Sequence, residues 1–373
     1  MSHRNTMAGI VALACLSACS GSHGGFTSAP VGPAPGSGVT GKFVYVTNAS
    51  NGNVSAFSAD PTTGALSLLS GSPFLALSGS FSIAVDATDG FAYVSSTANG
   101  SVVATAVAST GDLSALTPNP YFTGASPVSI ATDPGGQFIY TANSGSNNVS
   151  AFTIGTTGAL TAIPGSPFPG GLQPQFVIVH PSGDFLYVSN QGDNTLSAFS
   201  VGANGALTPI PGSPFATGSS PRGIAIAPSG QFLYVANFLS SNMSGFSIDA
   251  GTGALTPLPG SPFSTPGGSS LAVEKSGRYL YLADGFFVDG YLLNSGIPTP
   301  LAGNPISAGF RAFGLAVDAT GKFLYVLDNQ MSGVTGLDID SATGALTLIT
   351  GSPFPLISGS TAGTGATEIV VVN

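Results

Sequence analysis

The stretch Pro221-Arg-Gly-Ile-Ala-Ile-Ala-Pro-Ser-Gly-Gln-Phe-Leu-Tyr-Val-Ala-Asn237 decides the fold. Gly223 to Ala227 is a short, continuously apolar run, the pattern of a strand buried on both faces. Pro228-Ser-Gly-Gln231 carries Pro and Gly where a tight turn favours them, and Phe232 to Ala236 forms a second strand. Downstream, Met243-Ser-Gly-Phe-Ser-Ile248 alternates as a half-buried strand does. Asp249 to Gly253 turns the chain, Ala254-Leu-Thr-Pro-Leu-Pro259 reads as a fourth strand, and Gly260-Ser-Pro-Phe263 ends the unit. Pro164, Pro209, Pro211, Pro257 and Pro259 all fall in fourth strands on this reading. Proline has no N–H to give a ladder, so the fourth strand is the outer edge, protected against pairing with another chain.

The same unit recurs along the chain. Tyr-Val-x-Asn-like boxes begin at Tyr45, Tyr93, Tyr140, Tyr187, Tyr234, Tyr281 and Tyr325, spaced 48, 47, 47, 47, 47 and 44 residues apart. Gly-Ser-Pro-Phe boxes stand at 71–74, 165–168, 212–215, 260–263 and 351–354, with weaker copies at Asn119–Phe122 and Gly303–Ile306. Four-strand units with a period in the mid-forties are the signature of propeller blades. The first unit starts at Gly41-Lys-Phe-Val-Tyr45, already a second strand, while the chain ends in an inner-strand pattern, Ala366-Thr-Glu-Ile-Val-Val-Val-Asn373. The expected fold is therefore all-β: a seven-bladed β-propeller of four-stranded blades over residues 41–373, closed by the C-terminal strand completing the first blade.

Composition narrows the function. Charged residues make up 6% of the chain and the net charge is −9, with seven Lys and Arg in all. Nucleic acid binding requires a basic patch, and seven scattered cations do not make one. Arg4 followed by the apolar run Met7 to Leu16 reads as a signal peptide over residues 1–18, too short to span a bilayer as a helix. Leu16-Ser-Ala-Cys19 resembles a bacterial lipobox, so Cys19 is the expected lipidation site, with residues 19–40 a Gly/Ser/Pro-rich tether. The expectation is an exported lipoprotein of the cell envelope, bound to membrane only through its anchor.

Candidate site residues are few. The inner strands end in Asp86, Asp133, His180, Ala227, Glu274, Asp318 and Val372. They read either as a polar ring at one channel mouth or, in better accord with turn chemistry, as caps of the following turns. Second-strand exits and inner-strand starts share the opposite face. Arg222 and Arg311 both belong there, and an Arg at a channel mouth can hold a carboxylate or phosphate with two hydrogen bonds. A zinc site or a Ser-His-Asp triad would rest wholly on His180, so no metal and no cofactor is expected.

The Tyr-Val-x-Asn boxes and the Pro-x-x-Ile-Ala-x-x-Pro-Ser-Gly strands resemble the seven-bladed lactonase propellers, which include 6-phosphogluconolactonase and related cycloisomerases. They are similar also to surface-layer proteins carrying the YVTN repeat. The resemblance implies an inner-strand start of Gly-Pro-Arg-His type and a second strand ending in Asn-Glu. The nearest stretches here are Ser220-Pro-Arg-Gly223 and Tyr234-Val-Ala-Asn-Phe238. Arg222 matches, but Gly223 stands for the His and Phe238 for the Glu, while neighbouring blades offer Gln175 and Gln191. The ligand-face candidates are thus Arg222, Arg311, Gln175 and Gln191, with Arg222 the sole catalytic candidate. The expected role is a binding scaffold with a degenerate site, for a glycan, peptide or partner protein. The alternatives are a lactonase-type hydrolase of a sugar lactone and a surface-layer-like structural protein.

Overall fold

The computed structural model describes residues 42–74, 78–303, 305–307, 312–328, 333–356 and 366–372. Cys19, Arg311 and the whole of residues 1–41 lie outside the described residues. Each blade is an antiparallel ladder, and in all but the first its four main strands run from axis to rim in chain order. Blade 5 shows the plan, with Pro221–Ile226 innermost, then Phe232–Asn237, Asn242–Ile248 and Leu255–Pro257. Blade 1 borrows its inner strand: Ala366–Val372 pairs with Lys42–Asn48 in the register Phe43 to Val372 and Thr47 to Glu368. Neighbouring inner strands touch all the way round, and the borrowed strand meets those of blades 2 and 7. The ring is closed as the termini implied, and Lys42 Nζ reaches Asp318 Oδ2 of blade 7 at 2.7 Å across the seam.

The hydrophobic core is divided among the blade interfaces. One cluster joins Phe185, Leu196 and Ala198 of blade 4 to Ile224, Leu233 and Phe246 of blade 5, and an equivalent cluster lies at every other junction. A blade alone would expose both faces, so stability comes from stacking neighbours. The box tyrosines add a directional bond to each junction. The fully buried Tyr45, Tyr93, Tyr140, Tyr187, Tyr234, Tyr281 and Tyr325 each donate to a glycine carbonyl in the outer hairpin of the next blade, from Tyr45 to Gly111 at 2.8 Å round to Tyr325 to Gly64 at 2.9 Å. The acceptor must be glycine on two counts. Gly253, for example, has φ +69, and a Cβ there would lie 2.5 Å from the Phe185 ring. Burial raises every one of these phenols well above the ordinary tyrosine range.

The rim differs from the sequence expectation. Outer strands are short, Leu160–Ala162, Leu207–Pro209 and Leu255–Pro257 in blades 3 to 5, so Pro164, Pro211 and Pro259 lie beyond them rather than within. The Gly-Ser-Pro-Phe box then turns back and lays a two-residue strand on the same third strand, as Phe263–Ser264 does on Asn242 and Met243. Among the described residues six blades gain this fifth strand. Between the two pairings one third-strand N–H would be left facing the rim. The box serine accepts it, Ser261 Oγ from Gly245 at 3.0 Å and Ser213 Oγ from Ala198 at 2.9 Å, and Asn119 Oδ1 does so in blade 2.

The ends of the inner strands serve the turn rather than a channel site. Asp133 accepts N–H bonds from Gly135, Gln137 and Phe138, and Glu274 from Ser276, Arg278 and Tyr279. His180 is enclosed: Nε2 donates to the Gly230 carbonyl at 2.9 Å, which leaves Nδ1 to accept from Ser182. Among the described residues no helix is long and apolar enough to cross a membrane.

Candidate ligand-binding site in the central channel

At the end of the channel where the inner strands begin, all seven blades line one cavity of about 240 Å³. Its polar side chains include Gln175 of blade 4, Arg222 of blade 5 and Glu368 of the closing strand. Two residues the sequence singled out are therefore brought together. Gln191 is not in the wall; its Nε2 donates to Ser220 Oγ at 2.7 Å, in the loop that leads into Arg222.

Arg222 is held at two points. Its carbonyl accepts the Ser189 hydroxyl of blade 4 at 2.6 Å, which fixes the backbone. Its guanidinium carbon lies 3.9 Å from the centre of the Phe238 ring, an attraction worth about 0.5–2 kcal/mol depending on desolvation. Burial weighs against its charge and lowers its pKa from the usual value. Among the described residues the one ion pair is that of Lys42 with Asp318, so the guanidinium faces the cavity with no carboxylate in ion-pair contact. Phe238, which replaces the acid that the resemblance implies, orients the cation and leaves its N–H groups to a ligand.

Gly223 has a steric cause. Its N–H donates to the Ser269 carbonyl of blade 6 at 3.1 Å, and a Cβ on it would sit 2.8 Å from that oxygen and 2.9 Å from Ser270 Cα. The adjoining strand fills the space that an imidazole would need.

Glu368 is the residue that sequence reasoning missed. In most blades the inner strand starts with a bulge, and the N–H just beyond it is bonded by a side chain of the preceding blade. Ser82 Oγ accepts from Ile130, Ser129 Oγ from Val177 and Ser270 Oγ from Leu315, at 3.0, 3.2 and 3.2 Å. Glu368 occupies the same row, and its Oε2 accepts from Ile83 at 3.0 Å. Enclosure of the carboxyl raises its pKa to about 7, against the opposing hydrogen bonds of Ser82 and Ile83. An acid titrating near neutrality thus shares a cavity with a stacked arginine. Its sequence signal was its place four residues before the strand end, level with Ser82, Ser129 and Ser270.

The loops at this end of the propeller carry exposed apolar side chains. Leu172 of blade 4, Phe238 and Leu239 of blade 5, and Phe286 and Phe287 of blade 6 are 52, 38, 71, 58 and 38% exposed. Exposed apolar side chains at the end of the fold that holds a concave polar centre fit the usual make-up of a small-molecule site.

Comparison with known proteins agrees with this architecture. The family model for the seven-bladed β-propeller lactonases matches residues 75–164 and 159–273. Among curated proteins nothing matches. Of solved structures, a candidate 6-phosphogluconolactonase of Bacteroides fragilis superposes with TM-score 0.76 at 21% identity, over 91% of this chain and all of that one. A candidate 6-phosphogluconolactonase of Bacteroides uniformis gives 0.76 at 19%, over 89% and 99%. The periplasmic gluconolactonase of Pseudomonas aeruginosa gives 0.71 at 16%, over 89% and 99%. At these identities the structures speak for the fold alone, and with the family match spanning more than half the sequence, this chain belongs to the seven-bladed β-propeller lactonase family.

Proposed function

We propose that the channel mouth binds a small carboxylate-bearing molecule of sugar-acid size, and that the propeller is displayed outside the cytoplasmic membrane by a lipid on Cys19. The observation that carries the binding reading is Arg222, half-buried, stacked on Phe238 and without an acidic partner among the described residues. A guanidinium so placed offers two parallel N–H donors to a carboxylate, while the apolar loop side chains at this end suit the carbon face of a sugar. Export rests on the N-terminal sequence, with its ten-residue apolar run and Leu16-Ser-Ala-Cys19. Calorimetric titration with gluconate tests the reading. Arg222→Ala should weaken binding at least tenfold and Arg222→Lys should recover little of it, because an ammonium is a single point charge. Equal affinity in wild type and Arg222→Ala removes the proposal.

Lactone hydrolysis is the second reading, and Glu368 favours it. A carboxyl at about 7 suits general acid–base work near neutral pH, and the relatives named above are described as acting on gluconolactones. In that role Glu368 would deprotonate a water attacking the lactone carbonyl, and Arg222 would hold the substrate's anionic group. Turnover of a sugar lactone that is lost in Glu368→Gln while affinity survives would establish the hydrolase. Binding without turnover would leave the channel a receptor site.

A further inference from the structure

The hairpin between the second and third strands is built alike in most blades. Asn237 Nδ2 of blade 5 donates to Ser244 Oγ at 2.9 Å, and the Gly218 N–H of the incoming linker donates to the same oxygen at 3.3 Å. Blade 3 repeats this with Asn143, Ser150 and Gly124. Asn48 with Ser55 and Asn190 with Ser197 form the same amide–hydroxyl pair in blades 1 and 4.

Blade 6 reverses the polarity of this cluster. Register sets Tyr281 opposite Gly290 and Leu282 opposite Asp289, as Tyr234 stands opposite Gly245 and Val235 opposite Ser244. Asp284 thus takes the asparagine's place and Asp289 the serine's. The linker changes with them. Thr217 Oγ1 bonds the Gly218 carbonyl and Thr265 Oγ1 bonds that of Pro266, so Pro266, which has no N–H, stands where Gly218 donates. An amide, a hydroxyl and a backbone N–H have all been exchanged for groups that donate nothing when ionised.

Two carboxylates remain. Asp284 Oδ1 accepts from Phe286 and Phe287 at 2.8 and 2.7 Å and caps the turn. Asp289 is 7% exposed, and its buried Oδ2 has no hydrogen-bond partner among the described residues. Asparagine Oδ1 atoms of blades 1, 4 and 5 also lack a donor, but an orphaned carboxylate is far costlier to bury than an amide carbonyl. Burial, then the charge of Asp284, raises the Asp289 carboxyl to about 6.

We propose that Asp284 and Asp289 together hold a hard, oxygen-liganded metal cation of the Ca²⁺ class at the hairpin of blade 6. The buried orphan oxygen, within the electrostatic reach of a second carboxylate on the same hairpin and in a cluster that lacks the amide, hydroxyl and linker N–H donors of blades 3 and 5, is the arrangement that carries it. Two carboxylates match the charge of a divalent ion, and water can complete its shell of six to eight oxygens. No group of three or more His, Cys, Asp or Glu comes together among the described residues, so the site is a weak one. Its affinity should be of the order of 10⁻⁴ M, the range of sites with few charged ligands.

The test uses the full-length chain, stripped with EDTA and titrated calorimetrically with CaCl₂ at pH 7.5. Wild type should bind one Ca²⁺ per chain and melt at a higher temperature with it. Asp289→Asn should weaken binding at least tenfold. The double variant Asp284→Asn, Asp289→Ser restores the pair of the other blades, so it should fold, bind no Ca²⁺ and melt at the same temperature with or without the metal. A wild type that takes up no Ca²⁺, or a double variant that binds as tightly as wild type, overturns the site.

Discussion

Glu368→Gln is the most informative single substitution, because it tests the geometry of the closing strand and the acid in the channel together. The folded chain holds this carboxyl at about 7, against an ordinary glutamate value of 4.5. Below about pH 4.5 the group is protonated in folded and unfolded chains alike and contributes no difference. Between the two values the folded chain keeps a proton that the unfolded chain has released, so stability falls as pH rises, and the loss is complete above 7. At 1.36 kcal/mol per pKa unit the full loss is about 3 kcal/mol. Glutamine keeps an oxygen for the Ile83 N–H and never ionises, so the variant should match wild type near pH 4 and exceed it by that amount at pH 8. With an unfolding entropy of about 2.1 cal/mol/K per residue over roughly 330 residues, the gap is ~4 °C in Tm. Scanning calorimetry in EDTA from pH 4 to 8 reads it. Asp289, raised to about 6, contributes a fall of its own in both proteins and cancels in their difference. Parallel curves, or a variant less stable than wild type at pH 8, would refute the enclosed carboxyl.

Three further outcomes are expected. Tyr234→Phe leaves the buried Gly296 carbonyl without its donor at 2.7 Å, at a cost of about 1–3 kcal/mol; urea unfolding reads it, and an unchanged midpoint would make the tyrosine ring idle. Deleting residues 366–373 removes the inner strand of blade 1, which carries the buried Ile369 and Val372, and leaves Lys42–Asn48 unpaired on its axial side; circular dichroism should show the loss of a cooperative melt, and an intact melt would break the closure argument. Cys19→Ser should release the protein from membranes, and failure of labelled palmitate to enter the wild type would remove the lipid anchor.

The fold was legible because its determinants repeat. Each tyrosine box satisfies one inter-blade hydrogen bond, and each Gly-Ser-Pro-Phe box satisfies one rim N–H, so the chain restates its rules blade by blade. Local pattern told less about the rim. Pro164, Pro211 and Pro259 follow strand-like residues, and period alone could not say whether the strand ends before them. What ends it is Ser166, Ser213 and Ser261, whose hydroxyls bond the third strand where a longer fourth strand would have paired. Arg222 was legible for a related reason. It follows a proline at a strand start, where the direction of the strand fixes its face whatever its neighbours are.

Glu368 and Asp289 escaped because each is a departure from the repeat in a segment read for another purpose. The C-terminal strand was read for closure, and Glu368 shows its character only when set level with Ser82, Ser129 and Ser270. Asp289 is five residues past the end of its tyrosine box, whereas Ser244 is seven past its own, because the blade 6 hairpin is shorter. Register, not residue count, aligns them. The energetic argument then separates these two from other departures. Where the fold needs only an acceptor for a backbone N–H, serine supplies it three times in the row of Glu368 without burying a charge. Where it needs a hairpin pin, asparagine and serine supply it in four blades. An enclosed carboxylate costs several kcal/mol unless it is paired or protonated, and the fold gains nothing from it that serine does not already give. A proton at Glu368 and a metal cation at Asp289 are the occupants that would offset that cost, and both are carried by groups that the architecture itself does not require.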